Sequence, residues 1–103
     1  MPLDLAGAGT LIRSFTDKVT EAVFNGQCPK GFPVQIFQVA RRKLEAVDAA
    51  ERLSDLRIPP ANRLEALRGD RQGQHSIRIN DQWRMCFRWT NDGPADVEIV
   101  DYH

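Results

Sequence analysis

Residues 74–89 read QHSIRINDQWRMCFRW, and their pattern is the main evidence for the fold class. Polar and apolar residues alternate over 76–79 and again over 83–89, which is the period of a β-strand with one face against a core. The Asn-Asp pair at 80–81 favours a tight turn between the two segments. We therefore predict a hairpin of two antiparallel strands.

The two faces of this hairpin differ in chemistry, because successive side chains of a strand point to opposite sides. Large apolar side chains share the predicted core face: Trp83, Met85, Phe87 and Trp89. The opposite face takes Arg78, Arg84, Cys86 and Arg88. Exposed guanidinium groups held side by side repel one another by tenths of a kcal/mol to about 1 kcal/mol per pair. We interpret this face as a surface for an anionic ligand; the alternative is that the arginines are solvated surface residues.

The sequence on either side of the hairpin extends the sheet. A short strand is predicted over 64–67, closed by the turn-rich segment 69–73. A last strand runs over about 95–102, after the turn at 91–94. Residues 11–15 are predicted to form a leading strand. These segments together predict a mostly antiparallel sheet of about five strands.

Two helices are predicted before the sheet. The first is capped by Thr16 and stopped by Gly26, and the second begins at Pro33. The apolar stripe of the second helix consists of Ile36, Ala40, Leu44 and Val47. A short helical continuation over 49–56 is ended by the Pro-Pro pair at 59–60. The predicted fold is α+β, with two N-terminal helices packed on the sheet.

Length and composition fit one domain over residues 1–103, with residues 1–10 as an N-terminal extension. The chain has 103 residues, of which 42% are hydrophobic. No apolar run approaches the roughly 18 residues that span a bilayer, so we predict no membrane association and a cytoplasmic location. The two cysteines, Cys28 and Cys86, indicate no disulfide framework, and a bond between them is left open.

The charges balance over the whole chain but not along it. There are 14 Lys and Arg residues against 14 Asp and Glu residues. Residues 57–88 carry seven arginines and no lysine, with a net charge of +4, whereas residues 89–103 carry −4. A guanidinium fork suits phosphate, so the +4 segment predicts nucleic acid as a partner despite the neutral total. Because few phosphates would be neutralised, we expect weak binding to naked RNA.

The chain lacks the motifs of several common chemistries. The two histidines, His75 and His103, have no Cys or carboxylate at metal-ligand spacing, and no nucleotide-binding glycine motif occurs. We therefore predict neither a metal nor a cofactor. Arginines with a tyrosine and a histidine meet the needs of metal-free RNA cleavage: a base for the 2′-hydroxyl, an acid for the leaving 5′-oxygen and cations for the transition state.

Three segments resemble a known family. They are RLEALRGDR at 63–71, QHSIRINDQWRMCF at 74–87 and VEIVDYH at 97–103. With residues 12–15, 42–44 and 48–50, they are similar to HigB-type toxins, the plasmid maintenance killer branch of the RelE/ParE toxin superfamily. The resemblance implies the toxin of a type II toxin–antitoxin system, a compact endoribonuclease that cleaves mRNA in the ribosomal A site.

The resemblance also implies roles for individual residues. Arg68 takes the place of a cation near the scissile phosphate, and Arg84 that of an arginine that stabilises the transition state. The terminal triplet matches the catalytic one, with His103 in proton transfer and Tyr102 in stacking or orientation beside Asp101. RNA binding is assigned to the other arginines of this region: Arg63, Arg71, Arg78 and Arg88.

One position departs from the family pattern. Some relatives have a histidine three residues before the cation that corresponds to Arg68, and this chain has Glu65 there. A carboxylate at this place is expected to weaken RNA binding or to change the proton relay.

The resemblance implies a HigA-type helix-turn-helix antitoxin and the ribosome with its mRNA as partners. Operator DNA is expected as a partner only through the toxin–antitoxin complex. The alternative is a non-catalytic toxin that binds another target, such as gyrase or a ribosome assembly intermediate. Arg84 together with the Asp-Tyr-His triplet favours the enzyme, because a docking protein does not need that combination.

Overall fold

The computed structural model describes residues 11–102. The predicted N-terminal extension, residues 1–10, and the predicted catalytic residue His103 lie outside the described residues. Within the described range, two α-helices precede a sheet of four strands. The elements are α1 (Lys18–Phe24), α2 (Val34–Ala49), β1 (Glu65–Ala66), β2 (His75–Arg78), β3 (Trp83–Thr90) and β4 (Gly93–Asp101), with 3-10 helices at Leu53–Arg57, Pro60–Asn62 and Gly69–Arg71.

The sheet is an antiparallel meander with the strand order β1-β2-β3-β4. Its register places Ser76 opposite Cys86, and Cys86 opposite Glu98. The hairpin predicted from the alternating stretch is formed by β2 and β3, and the predicted α+β class with two N-terminal helices is confirmed.

The predicted leading strand over 11–15 is wrong. Phe15 makes a single parallel bridge to Val97, so the described residues form a sheet of four strands rather than about five. Next to this bridge, Asp96 has a φ of +52° and the register between β3 and β4 shifts. Such an irregularity interrupts the hydrogen-bond ladder. The Asp96 amide donates instead to the Ser14 hydroxyl at 2.9 Å.

The N-cap of α1 also differs from the prediction. The Asp17 carboxylate accepts a hydrogen bond from the Thr20 amide at 2.7 Å, which satisfies a backbone donor of the first turn. The Thr16 hydroxyl instead donates to the Asp96 carbonyl at 3.1 Å. The helix therefore begins one residue later than the Thr16 cap implied.

The second helix follows the predicted pattern and ends earlier than predicted. Its four stripe residues are all buried, and Pro33 precedes its first residue. The chain leaves the helix at Ala50, so the predicted continuation over 49–56 is no α-helix beyond Ala49 and is replaced by the 3-10 helix Leu53–Arg57. The Asp55 carboxylate accepts hydrogen bonds from the Arg52 and Glu51 amides at 3.1 and 3.0 Å, which holds this tighter turn in place.

The core lies between α2 and the predicted apolar face of the hairpin. Met85 and Phe87 are fully buried, and Trp83 and Trp89 pack against the core from partly buried positions. The opposite face is more covered than its polar pattern indicated, because Ser76 and Cys86 on it are also 0% exposed. These two buried residues lie under the candidate functional site.

No helix within residues 11–102 is long and apolar enough to cross a membrane. Cys28 is exposed, Cys86 is buried, and both thiols are free, so the disulfide left open by the sequence is not formed.

Candidate functional site

The site lies on the face of the sheet opposite the core, which we call the arginine face. Two rows of side chains cross it from strand to strand. One row consists of Ser76, Cys86 and Glu98, and the other of Arg78, Arg84 and Val100. The predicted separation of aromatic and arginine side chains between the two faces of β3 is confirmed by this register.

Arg84 is the best-anchored cation of the arginine face. Its side chain is only 12% exposed. Nε donates to the Ser76 hydroxyl at 2.8 Å, and Nη2 donates to the Arg63 carbonyl at 2.8 Å. The same Nη2 lies 3.2 Å from Oε1 of Glu65. Three different segments therefore fix the direction in which this guanidinium points.

The Arg63 carbonyl reaches Arg84 because the backbone turns sharply there. Arg63 has φ and ψ of 48° and 58°, a left-handed conformation that costs a non-glycine residue about 1–2 kcal/mol. Asn62, which is 1% exposed, holds this turn from below. Its side-chain nitrogen donates to the Leu56 and Ile58 carbonyls at 3.1 and 3.2 Å, and its oxygen accepts from Lys43.

The positive charge of Lys43 is disfavoured at this position. Burial, together with the nearby charges of Arg42 and Arg78, lowers the pKa of its ammonium group. The hydrogen bond to Asn62 thus connects the helix α2 to the turn that carries Arg63.

Tyr102 completes the surroundings of Arg84. The guanidinium carbon of Arg84 lies 5.9 Å from the centre of the Tyr102 ring, within the range of a cation–π contact. Tyr102 is 40% exposed, and its backbone amide donates to the Gln82 carbonyl at 2.6 Å. Its ring is therefore held beside Arg84, and the residue remains partly exposed to solvent.

Arg71 forms a second anchored cation. Its Nη1 donates to Glu98 Oε1 at 3.2 Å and to Gln74 Oε1 at 3.1 Å. Burial opposes its charge, but the hydrogen bond that Arg71 donates to Glu98 and the negative charges around it outweigh burial and raise the pKa of Arg71. Burial also raises the pKa of the Cys86 thiol beneath it, and the positive charge of Arg71 opposes that change.

The prediction that unneutralised arginines repel one another on this face is wrong. Each of four arginines forms an ion pair: Arg71 with Glu98, Arg78 with Asp81, Arg84 with Glu65 and Arg88 with Asp96. Folding brings the acids of β1, of the hairpin turn and of β4 beside the arginines. The arginine face is consequently neutralised by carboxylates of the same chain.

Two predicted site residues carry no such pair. Arg68 and Arg63 are both exposed, and no carboxylate among residues 11–102 lies within 4.0 Å of either guanidinium group. Arg68 immediately precedes the 3-10 helix Gly69–Arg71. These cations are open to an anion from outside the chain.

The alternation of side chains along β4 separates Asp101 from Tyr102 in the predicted catalytic triplet. Asp101 is opposite Trp83 in the register and is therefore on the other face from Tyr102. Its carboxylate accepts a hydrogen bond from Gln82 Nε2 at 3.1 Å. The structure thus brings Arg84 and Tyr102 together and holds Asp101 apart from them, while His103 is outside the described residues.

Several residues of the site were not singled out by the sequence. Ser76, Asn62 and Glu98 are ordinary polar residues in their local patterns, and only tertiary contact gives them a role. Glu65 departs from the family pattern in the sequence, but only the fold brings it into contact with Arg84. Among the described residues, no group of three or more His, Cys, Asp or Glu side chains is placed to hold a metal ion.

Comparison with known proteins yields a consistent set of relatives. Residues 13–103 match the family model described as the RelE-like toxin of the type II toxin–antitoxin system HigB. Toxin HigB-1 of Vibrio cholerae is 49% identical over 71 residues, which cover 69% of this chain and 74% of that protein. Endoribonuclease HigB of Proteus vulgaris is 30% identical over 93 residues, covering 90% of this chain and all 100% of that protein. An uncharacterized protein of Haemophilus influenzae is 37% identical over 67 residues, covering 65% and 66% of the two chains.

Proposed function

Since the chain belongs to the HigB-like family of RelE-like toxins, we propose that it is an endoribonuclease that cleaves mRNA on the ribosome. It is the toxin of a type II toxin–antitoxin system, and such a system implies an antitoxin as partner. A relative aligned over 90% of the chain is named an endoribonuclease. The cytoplasm, which contains translating ribosomes, is the expected location.

The observation that carries the proposal is the fixed guanidinium of Arg84 beside the ring of the partly exposed Tyr102. A phosphate that takes one bidentate edge of Arg84 would place the adjoining base or ribose near that ring. A cation anchored in advance stabilises negative charge that develops in a transition state without having to reorganise. This arrangement fits cleavage better than simple docking, for which a freely moving surface arginine suffices.

The proposed reaction is a transesterification within the RNA. The 2′-oxygen loses its proton to a base and attacks the adjacent phosphorus, while the bond from phosphorus to the 5′-oxygen breaks. The leaving 5′-oxygen takes a proton, which gives a 2′,3′-cyclic phosphate and a 5′-hydroxyl end. Every step uses side chains, and no metal ion takes part in it.

We assign the side chains as follows. Arg84 and Arg68 bind the scissile phosphate and stabilise the phosphorane, and His103 transfers a proton. Tyr102 stacks against the RNA, and Asp101, held by Gln82, positions the segment that carries Tyr102 and His103. RNA contacts outside the reacting phosphate fall to the remaining arginines: Arg63, Arg71, Arg78 and Arg88.

The proposed antitoxin is a HigA-type helix-turn-helix protein, through which the complex would reach operator DNA. A test of antitoxin binding separates this role from catalysis. We expect the Arg84→Ala variant to bind the antitoxin as tightly as the wild type while its cleavage activity is lost.

The function is tested by primer extension on a defined mRNA incubated with purified protein, with and without programmed ribosomes. We expect breaks within the A-site codon only when ribosomes are present. Breaks of equal intensity in ribosome-free RNA would contradict the ribosome dependence. No breaks in either reaction would contradict the endonuclease and favour a toxin that binds without cutting.

A further inference from the structure

The carboxylates paired with the anchored arginines contact guanidinium nitrogens that a phosphate bound to those arginines would also use. A guanidinium group has two edges that bind an anion bidentately, Nε with Nη2 and Nη1 with Nη2. In Arg84, Nε already donates to the buried Ser76 hydroxyl at 2.8 Å, which leaves the edge of Nη1 and Nη2 for a phosphate. On that edge, Nη2 is in contact with the Arg63 carbonyl at 2.8 Å and with Glu65 at 3.2 Å. The backbone carbonyl cannot leave without opening the turn. A bidentate phosphate therefore has to displace Glu65.

Glu65 is well placed to be displaced. Its side chain is 59% exposed and lies on the two-residue strand β1, whereas the Arg84 side chain is 12% exposed. The anion can therefore move away while the cation stays fixed by Ser76 and Arg63. Glu98, at 25% exposure against Arg71, is held more tightly, so Glu65 is the carboxylate that an incoming phosphate exchanges first.

Because Glu65 must be displaced, Arg84 adds less to the affinity for RNA than an unpaired arginine would. Affinity for nucleic acid rises with the number of phosphates that protein cations neutralise and with the counterions released from the RNA. An arginine that is already neutralised by a carboxylate gains only the difference between two anions. A ribosome that holds the mRNA in place supplies a high effective concentration of the phosphate, which favours the exchange without extra cationic charge.

We infer that Glu65 acts as an internal competitor of RNA for Arg84 and thereby restricts the enzyme to RNA that the ribosome presents. The inference rests on the proposed function for the ribosome. It assigns to Glu65 a role in substrate selection, distinct from any role in the chemical step.

The test is equilibrium binding of a fluorescent 2′-O-methyl RNA oligonucleotide, which has no free 2′-hydroxyl and cannot be cleaved. Wild type is compared with Glu65→Gln and with Glu45→Gln at several salt concentrations. Glu45 is an exposed acid of α2, so its variant makes the same change of net charge away from the arginine face. We expect Glu65→Gln to bind about two- to fivefold more tightly than Glu45→Gln, the range that an exposed ion pair represents.

The salt dependence gives a second readout. One additional cation available to single-stranded RNA steepens the plot of log affinity against log salt by about 0.7. We expect this change for Glu65→Gln and not for Glu45→Gln. Equal affinities and slopes for the two variants, or weaker binding by Glu65→Gln, would overturn the inference.

Cleavage of naked RNA relative to ribosome-bound RNA tests the selection itself. We expect this ratio to rise in Glu65→Gln, and an unchanged ratio despite tighter binding would overturn the role in selection. The wild-type reaction on ribosomes shows whether the proposed function holds, independently of the role of Glu65. If the wild type cuts on ribosomes and Glu65→Gln behaves like Glu45→Gln, only the inference about Glu65 fails.

Discussion

At the scale of single residues, the structure anchors the guanidinium of Arg84, and we expect the proposed activity to depend on that anchoring. The alternation of residues 83–89 was sufficient to predict that Arg84 faces away from the core. It could not predict the partners of that side chain, because the left-handed turn at Arg63 and the contact with Glu65 arise from pairing between segments distant in sequence. Arg84 could therefore be identified from the sequence, but its anchoring could not.

Ser76 is predicted to be a positioning residue for Arg84. Its hydroxyl is fully buried and accepts from Nε, so Ser76→Ala leaves that donor without a partner and frees the guanidinium to turn. We expect cleavage at saturating ribosomes to fall about tenfold, with little change in the half-saturating ribosome concentration. The free energy of unfolding should fall by about 1 kcal/mol.

Ser54→Ala, at an exposed position of the 3-10 helix Leu53–Arg57, is the matched control for this change. Single-turnover kinetics and urea unfolding measure the two effects. A Ser76→Ala enzyme as fast as Ser54→Ala would show that Arg84 does not depend on this hydroxyl.

The two thiols are expected to differ in reactivity. Cys28 is exposed, whereas Cys86 is fully buried and burial raises the pKa of its thiol. In the native protein, iodoacetamide should modify Cys28 and leave Cys86 intact until the chain is unfolded. Mass spectrometry of the modified peptides checks this, and rapid modification of native Cys86 would contradict the burial.

The raised pKa of Cys86 also determines how this thiol changes the stability of the fold with pH. The folded chain favours the neutral thiol, so this contribution to stability is complete below the thiol pKa of the unfolded chain. It is lost as the pH rises from that value through the pKa of the folded state. In alkaline solution the wild type should lose more unfolding free energy than Cys86→Ala, and an equal loss would contradict the shift.

At the scale of elements, the periodicity of the sequence was a good guide wherever one face is buried. It predicted the hairpin of β2 and β3 and the buried stripe of α2. It failed at residues 11–15, where the backbone bonds to β4 are interrupted at Asp96, whose amide donates to the Ser14 hydroxyl. It also failed at Asp17, where a neighbouring acid takes the cap. Those outcomes depend on which polar groups meet in three dimensions, so local pattern does not determine them.

The N-cap of α1 is expected to contribute to the stability of the fold. Replacing Asp17 with Ala removes the acceptor for the Thr20 amide and should lower the free energy of unfolding by about 1 kcal/mol. Asp17→Asn keeps an oxygen acceptor at the same place and should unfold close to the wild type. Urea denaturation of the three proteins measures this. An Asp17→Ala variant as stable as Asp17→Asn would place the cap elsewhere.

At the scale of the whole molecule, the neutral total charge arises from pairs formed across the sheet. The +4 segment and the −4 segment of the sequence meet in the fold, where Asp96 and Glu98 of β4 pair with Arg88 and Arg71. Counting charges along the chain predicted a basic surface. It could not show that the surface is neutralised internally, because that depends on strand register. We therefore expect the arginine face to bind naked RNA weakly, in line with the proposed dependence on the ribosome.

The most direct test of this account is single-turnover cleavage of mRNA on programmed ribosomes by Arg84→Lys, compared with Arg78→Lys. Arg78 lies directly opposite Arg84 in the register, and its pair with Asp81 is at the hairpin turn. Lysine keeps the charge but not the planar fork, so Arg84→Lys should lose about 10²- to 10³-fold in rate. Arg78→Lys should stay within about tenfold of the wild type, as expected for a contact outside the reacting phosphate. An Arg84→Lys enzyme as fast as Arg78→Lys would contradict a central role for the anchored guanidinium.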